Sequence, residues 1–461
     1  MKKTRTRSIM VLIMTLAFFA GMVYFTVNLV THSAEWSSMP QNGHISSSNG
    51  LEKAGKIYDV NGVVLAESID GKRVYNSDEA IRKACLHVVG DDTINISTAV
   101  QTVYRSELSG YNFVTGLGLP SSMTSGRDIT LTIDSEVQKA AYEALGSNKG
   151  AVVVYNYKTG EIVCMVSTPT YDPQNPPSDI DTNEEYEGAY LNRAISASYP
   201  PGSTFKLVTA AAALENMDGV EDRKYYCTGK DIIGDDEITC FSASGEVDFK
   251  NALVQSCNCY FAGLAVDLGK DKMTEQAEKM GFNSSITIDN IQTIKSTYNV
   301  SEADENDLGW SGVGQYTTLE TPINMTVISA AIANGGTPVM PYLVKSISQP
   351  FGISSGENSS SLGSEMMSEE VAEKLYDMMD YTVEVNYGKS TFPDVDVCAK
   401  TGTAEVGGGK NAHAWITGFT TDEDCPLAFS VIVENGNSGY LVAAPVASKV
   451  LQAAANSIRN R

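Results

Sequence analysis

The most informative stretch of this chain reads ASYPPGSTFKLV and covers residues 197–208. Two prolines and a glycine end any helix or strand that precedes them. Helix-forming residues follow at 206–214 and include four consecutive alanines. Ser203 is therefore expected at or near a helix N-terminus, where unpaired N–H groups and the positive end of the helix dipole favour a developing alkoxide. Lys206, three residues on, is expected over the same face of the helix.

Burial of this helix would change the protonation chemistry of the Ser-x-x-Lys pair. The apolar residues at 207, 208 and 210–214 indicate a helix that is buried on nearly all sides. Desolvation penalises the ammonium form of Lys206 and lowers its pKa, so a neutral amine becomes available as a base beside the Ser203 hydroxyl. The alternative is a chance motif, in which Ser203 is only an N-cap and Lys206 an exposed side chain.

Length and composition describe a large folded protein. The 461 residues allow two or three domains. A hydrophobic content of 42% with 15 prolines is typical of a globular chain and not of a disordered one. The net charge of −23, from 33 basic and 56 acidic residues, argues against nucleic acid or anionic lipid as a partner. We interpret it as a solvated acidic exterior.

The N-terminus predicts a membrane anchor. Residues 1–8 contain four basic side chains and form a short tail, and residues 9–30 carry no charge. At about 1.5 Å per residue, this uncharged segment spans roughly 30 Å of hydrocarbon. The positive flank predicts a single-pass membrane protein with a cytoplasmic N-terminus and the rest of the chain outside. A cleaved signal peptide is the alternative, but its apolar region would be shorter, and residues 31–34 make only a weak cleavage site.

Composition divides the remainder into three parts. Residues 31–51 are polar and serine-rich and are interpreted as a tether. Residues 52–126 contain an Asn-Gly hairpin signal and two helical stretches, and they end in a Gly/Ser-rich segment, which indicates a small extracytoplasmic domain. In residues 127–461, strands lie at both ends and helices in the middle, with an irregular polar segment at 221–246. This pattern predicts an α+β domain whose sheet joins the start and the end of that part.

The cysteines suggest one disulfide. Cys227 and Cys240 flank a short polar loop, and we predict that they are bonded in an exported chain. Four others are interpreted as buried thiols: Cys85, Cys164, Cys398 and Cys425. Cys257 and Cys259 form a C-x-C pair without a second cysteine or histidine pair at zinc spacing, so no metal site is predicted.

A second polar motif lies within QSCNCYF at residues 255–261. Ser256 and Asn258 are two residues apart and would diverge on a regular helix, so a turn or a helix join is expected to direct both into one cleft. A hydroxyl there can pass a proton, and a carboxamide can hold a substrate amide. Alone, S-x-N carries almost no information.

A third motif, Lys-Thr-Gly-Thr at 400–403, lies in a predicted strand. Gly402 leaves room for a second backbone to approach closely, and an extended peptide could pair with this strand as an added edge. Lys400 and the hydroxyls of Thr401 and Thr403 could hold a carboxylate. K-T-G alone is also common.

Taken in this order, S-x-x-K, S-x-N and K-T-G resemble the signature set of penicillin-binding proteins and serine β-lactamases. The intervals of about 50 and about 140 residues suit the former. Over nearly its whole length the chain resembles the class B penicillin-binding proteins, which are membrane-anchored, monofunctional peptidoglycan D,D-transpeptidases. Residues 52–126 resemble a short form of the family's pedestal (dimerisation-like) domain, although Ala54 and Val60 replace both arginines of its entry motif. Residues 127–461 would be the transpeptidase domain, with a sheet flanked by helices.

The resemblance implies a role for each motif. Ser203 would attack the penultimate D-alanine carbonyl of a stem peptide and form an acyl-enzyme, while Lys206 takes the serine proton. Ser256, helped by Lys400, would relay a proton to the leaving amine, and Asn258 would orient the donor amide.

The K-T-G strand would bind the end of the donor. The resemblance implies that Lys400, Thr401 and Thr403, with Gly402 between them, bind the terminal carboxylate. The backbone N–H groups of Ser203 and Thr403 would form the oxyanion hole. An amine of a neighbouring stem peptide then takes the acyl group, and β-lactams acylate Ser203 as mimics of D-Ala-D-Ala. No cofactor is implied, and the family's usual partner is a multi-spanning glycan polymerase.

Three alternatives stay open. A histidine-based triad has only four candidates, of which His87 and His413 lie outside the anchor and tether, and both are better interpreted as structural. A β-lactamase or carboxypeptidase would hydrolyse the acyl-enzyme, and Glu302 lies where class A β-lactamases carry their Glu-x-x-Leu-Asn loop, although Glu305 replaces the leucine. A scaffold would keep the fold without catalysis.

Overall fold

A computed structural model describes residues 2–38, 51–109, 126–348 and 358–461 of the chain. Most of the predicted tether and nearly all of the Gly/Ser-rich segment that precedes residue 126 lie outside the described residues. The helices are α1 (Lys2–Ser38), α2 (Glu79–Val89), α3 (Val100–Val103), α4 (Arg105–Ser109), α5 (Ser135–Leu145), α6 (Arg193–Ser196), α7 (Lys206–Asn216), α8 (Phe249–Val254), α9 (Asn258–Lys279), α10 (Glu305–Gly312), α11 (Pro322–Ala333), α12 (Glu369–Thr382) and α13 (Ala444–Arg459).

The strands are short outside one sheet. They are β1 (Ile57–Tyr58), β2 (Val64–Ile69), β3 (Lys72–Tyr75), β4 (Ile129–Leu131), β5 (Gly150–Asn156), β6 (Ile162–Thr168), β7 (Tyr225–Cys227), β8 (Lys230–Ile233), β9 (Asp236–Thr239), β10 (Gly245–Val247), β11 (Thr287–Ile288), β12 (Ile291–Gln292), β13 (Val344–Ile347), β14 (Val397–Ala404), β15 (His413–Thr420) and β16 (Leu427–Val433).

The central sheet joins the two ends of the C-terminal part. Its order is β14-β15-β16-β5-β6, and every neighbouring pair is antiparallel. Strands β5 and β6 come from the start of that part and β14 to β16 from its end, so the predicted α+β architecture is confirmed. Strand β14, which carries the K-T-G motif, is an edge strand of this sheet.

Helices cover both faces of the central sheet. Along β16, Ala428 and Ile432 belong to the apolar cluster that contains α7 and α11, whereas Phe429 and Val431 belong to the cluster that contains α5 and α13. Alternate residues of a strand point to opposite faces, so each face has its own hydrophobic core. The sheet is thereby fixed between two helical layers, and its β14 edge lies against the turn that carries the S-x-x-K motif.

A second five-stranded sheet, ordered β13-β4-β1-β2-β3, lies in the N-terminal part. The predicted hairpin is present, because β1 pairs antiparallel with β2. Strand β4 pairs parallel with β1, and β13 pairs with β4. This sheet therefore uses strands from both sides of residue 126, and the domain boundary there stays a prediction.

Helix α1 has the length and composition to cross a membrane. Its segment Thr4–Asn28 has a mean hydropathy of 2.2, and none of its apolar window is buried in the protein. The helix continues to Ser38, beyond the predicted anchor and into the segment predicted as a tether. The polar composition of the segment after residue 30 does not reveal this extension.

Residues 221–246 are not irregular as predicted. They form β7 to β10, with β8 and β9 joined as a hairpin and β10 paired with β7. The turn at Gly234 adopts a φ of +65°, a left-handed conformation that glycine adopts without strain. The sequence did not indicate these strands because each packs by only one face, and the other face carries polar residues. They cover the region that faces the S-x-N motif.

Glu320 pairs through its backbone with the segment that enters the Ser203 turn, and its carboxyl group is buried. The backbone N–H and C=O of Glu320 pair with those of Tyr199 at 2.8 and 2.9 Å. Its side chain is fully buried, and one oxygen accepts from Asn324 Nδ2 at 3.2 Å. Burial raises the pKa of Glu320 well above its ordinary value of 4.5. The carboxyl group is therefore held in its neutral form.

We expect Glu320→Gln to stabilise the protein at alkaline pH. The folded state keeps a proton that the unfolded chain releases above pH 4.5. Wild-type stability therefore falls as the pH rises toward the folded pKa, by up to about 1.4 kcal/mol per pH unit. The amide has no such loss, so the variant should melt above wild type at pH 8 and close to it near pH 4.5 in thermal unfolding. Glu302→Gln, at an exposed position, is the control. Parallel pH profiles for wild type and Glu320→Gln would contradict this explanation.

Candidate active site

Ser203 lies at the start of a helix, as the sequence predicts. The single 3-10 turn Gly202–Phe205 contains it and runs directly into α7. Gly202 has a φ of +55°, and a Cβ atom there would lie 2.6 Å from the Thr403 carbonyl oxygen. Only glycine lets this turn approach β14 so closely. The nucleophile candidate is thereby held against the edge strand.

Lys206 joins two of the three motifs. Its Nζ lies 3.1 Å from Ser203 Oγ and donates to the Ser256 carbonyl at 2.7 Å and to Asn258 Oδ1 at 2.6 Å. The same nitrogen is 3.2 Å from Ser256 Oγ and 5.8 Å from the ring centre of Phe261. The side chain is fully buried, and burial lowers the pKa of Lys206 to about 8. A neutral amine in contact with Ser203 is therefore available near physiological pH.

Ser256 and Asn258 lie at a join between two helices. Helix α8 ends at Val254, Cys257 is the N-cap of α9, and Ser256 between them adopts a φ of +55°. This left-handed residue breaks the helical path, so two side chains that would diverge on one helix meet at the same lysine. The predicted join is confirmed. Asn258 Nδ2 also donates to the Thr239 carbonyl at 2.7 Å, which fixes the orientation of its amide.

Lys400 brings the third motif to the same hydroxyl group. Its Nζ donates to Ser256 Oγ at 3.0 Å and to the Thr401 carbonyl at 2.9 Å. The side chain is 1% exposed. Burial and then the charge of Lys206 lower the pKa of Lys400 well below its ordinary value. Two amines thus share the Ser256 hydroxyl in a dry site, which makes it costly for both to be charged at once.

Tyr387 is a site residue that no sequence motif indicates. Its hydroxyl accepts the Thr401 backbone N–H at 2.9 Å and lies 2.8 Å from Thr401 Oγ1. The Thr401 N–H therefore points away from β15, and by the two-residue period of a strand the Thr403 N–H points to the same free edge. Tyr440 stacks on Tyr387 with ring centres 5.6 Å apart. The tyrosine side chain fixes the first hydroxyl of the K-T-G-T segment.

Gly402 is required for close packing, but its neighbour differs from the one expected. A Cβ atom at this position would lie 2.7 Å from the Pro201 carbonyl oxygen and 3.1 Å from Thr204 Cγ2. The backbone that approaches Gly402 is thus the turn that carries Ser203. Gly402 contributes to the site by letting the nucleophile turn lie on the strand.

The predicted disulfide is not formed in this structure. Cys227 and Cys240 are both free thiols, and their Sγ atoms are 3.7 Å apart. Cys240 is in addition only 3.4 Å from the Sγ of Cys259, so the short polar loop does not hold an isolated pair. The four cysteines interpreted as buried thiols, at positions 85, 164, 398 and 425, are all buried.

The two histidines outside the anchor and tether have structural contacts. His87 is fully buried with Nε2 2.8 Å from the Ala189 carbonyl oxygen, and burial lowers the pKa of His87 to about 4. His413 accepts the Asn435 N–H on Nδ1 at 3.0 Å and packs edge-on against the Tyr199 ring. Both contacts fit the structural interpretation, and the amine in contact with Ser203 Oγ is that of Lys206.

Known proteins are similar to this chain in sequence. Residues 150–452 match the penicillin binding protein transpeptidase domain family. Peptidoglycan D,D-transpeptidase PbpA of Mycobacterium tuberculosis is 32% identical over an alignment of 362 residues, and the match covers 71% of this chain and 72% of the relative. Stage V sporulation protein D of Bacillus subtilis is 27% identical over 430 residues, covering 84% of this chain and 65% of that protein.

Solved structures agree with the sequence relatives. The ceftriaxone acyl-enzyme complex of penicillin-binding protein A from M. tuberculosis has a TM-score of 0.78 and 29% identity. The likeness covers 88% of this chain and 99% of that one. Pseudomonas aeruginosa PBP2 has a TM-score of 0.72 at 26% identity. With a family match over more than half of the sequence and a relative above 30% identity, the chain belongs to the penicillin-binding protein transpeptidase family, as a class B penicillin-binding protein.

Proposed function

We propose that this chain cross-links peptidoglycan by D,D-transpeptidation through an acyl-enzyme on Ser203. The observation that carries the proposal is the fully buried Lys206 amine, 3.1 Å from the Ser203 hydroxyl. An alcohol in contact with a desolvated amine is an activated nucleophile. The relatives named peptidoglycan D,D-transpeptidase support the substrate class.

The contacts define a proton path for acylation. Ser203 Oγ attacks the penultimate D-alanine carbonyl while its proton passes to Lys206 Nζ, and the new C–O bond gives a tetrahedral intermediate. The peptide C–N bond then breaks, and the leaving D-alanine nitrogen takes a proton from Ser256 Oγ. That hydroxyl lies 3.2 Å from Lys206 Nζ and 3.0 Å from Lys400 Nζ, so either amine can replace the proton. Ser256 therefore serves as a relay.

Backbone N–H groups stabilise the negative charge that develops on the substrate carbonyl oxygen. We assign the oxyanion hole to the N–H groups of Ser203 and Thr403, because the Ser203 turn lies against β14 and the Thr403 N–H faces the free edge. Asn258 offers its amide to the donor peptide and is itself held by Lys206 and Thr239. An amine of a second stem peptide then attacks the ester carbonyl and gives one N–H proton to Lys206 Nζ. The ester C–O bond breaks as Lys206 returns that proton to Ser203 Oγ.

The donor carboxylate would bind at the K-T-G-T segment. Because the Tyr387 hydroxyl accepts the Thr401 N–H, its own proton can be donated to Thr401 Oγ1. The Thr401 hydroxyl proton is then available to a carboxylate, together with the exposed Thr403 hydroxyl. Lys400, 2.9 Å from the Thr401 carbonyl, supplies positive charge behind them.

Removing the Tyr387 hydroxyl should weaken donor binding. In Tyr387→Phe the Thr401 N–H loses its partner and the Thr401 hydroxyl loses its fixed orientation. We expect the penicillin concentration for half-maximal acylation to rise about tenfold, with a smaller change in the saturating rate. Tyr440→Phe, which removes a hydroxyl from the stacked ring without touching Thr401, is the matched control. Equal kinetics for the two variants would contradict the assignment.

A hydrolase is the main competing function, and its best candidate residue lies far from Ser203. Glu302 is exposed and follows Ser301, whose carbonyl accepts from Lys270 on α9. Lys270 follows a break in α9 at Gly269, and the helical stretch from Asn258 to Leu268 before that break rises about 15 Å. Glu302 is therefore poorly placed to activate a water at the Ser203 ester. This geometry favours an amine as the acceptor.

The test is the partition of the acyl-enzyme between amine and water. The full chain is incubated with a synthetic stem peptide ending in D-Ala-D-Ala and rising concentrations of glycine amide, and products are identified by mass spectrometry. We expect the share of amide-linked product to rise with amine concentration and to vanish in Ser203→Ala. Hydrolysed peptide alone at every amine concentration would identify a carboxypeptidase. Unchanged stem peptide at every amine concentration would identify a scaffold.

Topology and partnership extend this proposal. We place the N-terminus in the cytoplasm and the catalytic part outside, because the four basic residues in the first turns of α1 precede its exposed apolar segment. A multi-spanning glycan polymerase would supply the strands to be cross-linked and would meet α1 in the membrane. A C-terminal reporter enzyme that is active only outside the cytoplasm should be active; an inactive reporter in intact cells would contradict this orientation.

A further inference from the structure

Four cysteines meet directly beside the S-x-N segment. Cys227 ends β7, Cys240 follows β9, and Cys257 and Cys259 bracket Asn258. The Sγ atom of Cys240 lies 3.7, 3.9 and 3.4 Å from those of Cys227, Cys257 and Cys259. The sulfurs of Cys227, Cys240 and Cys257 all lie within 4.8 Å of one another. Three chain segments thus place their sulfur atoms in one small volume.

The spacing of these sulfurs suits a bridging metal ion. A Zn–S distance of about 2.3 Å in a tetrahedral site gives an S···S edge of about 3.8 Å. The distances of 3.7 and 3.9 Å from Cys240 to Cys227 and Cys257 match that edge, and the distance of 3.4 Å to Cys259 is shorter than it. Cys240 also has three sulfur neighbours at once, whereas a disulfide joins a sulfur to one partner only. A shared ion uses all of these contacts.

The surroundings of the sulfurs suit thiolates. The Gly229 N–H donates to Cys227 Sγ and the Cys259 N–H donates to Cys240 Sγ, both at 3.4 Å. Backbone N–H groups directed at ligand sulfurs are the outer contacts that stabilise thiolate ligands. Cys227, Cys257 and Cys259 are each 1% exposed, which keeps competing water away from the sulfurs.

We propose that Cys227, Cys240 and Cys257 bind a zinc ion as thiolates and that Cys259, in contact with Cys240, is the fourth ligand. Binding of Zn²⁺ displaces the four thiol protons to solvent, and no electron is transferred. Four thiolates leave no open coordination position, so the ion has a structural role and takes no part in the acyl transfer.

The site fastens the S-x-N segment to the small strands that cover it. Asn258 lies between Cys257 and Cys259, and its amide bonds to the carbonyl of Thr239, the residue before Cys240. The other side of the same amide holds Lys206. An ion that ties these segments together fixes the position of Asn258. We therefore expect loss of the ion to slow acylation by penicillin about tenfold while leaving the adduct on Ser203.

Metal content is the direct test. The full chain is purified under reducing conditions without chelator, loaded with zinc chloride, desalted and analysed by mass spectrometry of the metal. We expect one zinc per chain in wild type and less than about a tenth of that in Cys240→Ser. Cys164→Ser, which removes a buried thiol on β6, should keep the full content. Cobalt(II) loading of wild type should give a thiolate-to-metal charge-transfer band that Cys240→Ser lacks.

Two results would overturn the site. One is a wild-type chain that retains no zinc after loading. The other is disulfide bonds among these four cysteines, found by peptide mapping of chain that was alkylated before digestion. An acylation rate that is unchanged after zinc removal would overturn the positioning of Asn258 by the ion. The first two results are obtained without the acyl transfer, and the third is a change in rate with the Ser203 adduct still formed. Failure of the zinc site can therefore be distinguished from failure of the proposed function.

Discussion

Ser203→Ala is expected to abolish covalent labelling by penicillin completely. The acyl group has one attachment point in our account, the Oγ atom that lies 3.1 Å from Lys206 Nζ. Ser256 lies in the same site but at a left-handed helix join, and we assign it a relay role. Intact-mass spectrometry of the full chain after incubation with penicillin should show one adduct in wild type and none in the variant. Peptide mapping should place that adduct on the peptide that contains residue 203.

The control for this experiment is Ser256→Ala. It removes the neighbouring hydroxyl and leaves the nucleophile, so an adduct should still form, although more slowly. An adduct that persists in Ser203→Ala and disappears in Ser256→Ala would exchange the roles of the two serines. Labelling of neither wild type nor variants would favour the scaffold.

Lys206→Met is expected to lower the acylation rate by about 10³ to 10⁴-fold. Methionine fills a similar volume, so the buried site keeps its packing but has no base for the Ser203 proton. The variant also leaves the Ser256 carbonyl and Asn258 Oδ1 without their donor, which costs stability of about 1–3 kcal/mol. Stopped-flow measurement of acylation by a chromogenic cephalosporin, with the melting temperature recorded alongside, separates the two effects.

Lys270→Met is the matched control for the lysine variant. Lys270 is half-buried on α9 and donates to the Ser301 carbonyl, so it loses the same charge outside the site. It should acylate at the wild-type rate. If Lys206→Met retains more than about a tenth of the wild-type rate while remaining folded, the amine is not the base that activates Ser203.

Much of this site could be predicted because most of its polar residues lie in short sequence motifs. The Pro-Pro-Gly entry to α7 and the apolar residues after it indicated a buried lysine one turn from a serine. The joint occurrence of S-x-x-K, S-x-N and K-T-G indicated that three distant segments meet. The structure brings Lys206 and Lys400 to the Ser256 hydroxyl, as this reasoning requires.

Other parts of the site arise only from tertiary packing. Tyr387 has no motif around it, and its contact with Thr401 exists because the segment after α12 lies along the outer edge of β14. The strands within 221–246 were missed because their composition is polar and each has only one packed face. The fold of these strands also brings Cys227 and Cys240 close to Cys257. The spacing of the cysteines along the sequence does not predict this cluster.

The pH dependence of acylation tests the central claim most directly, because it reports the protonation of Lys206. The folded-state pKa of this lysine is lowered to about 8 by burial. The neutral base therefore accumulates as the pH rises through that value. We predict that the acylation rate of wild type by a chromogenic cephalosporin rises between pH 6 and pH 9 with an apparent pKa of about 8 and then levels off. A rate that still rises in proportion to hydroxide above pH 9, or one that does not change across this range, would contradict a desolvated Lys206 as the base.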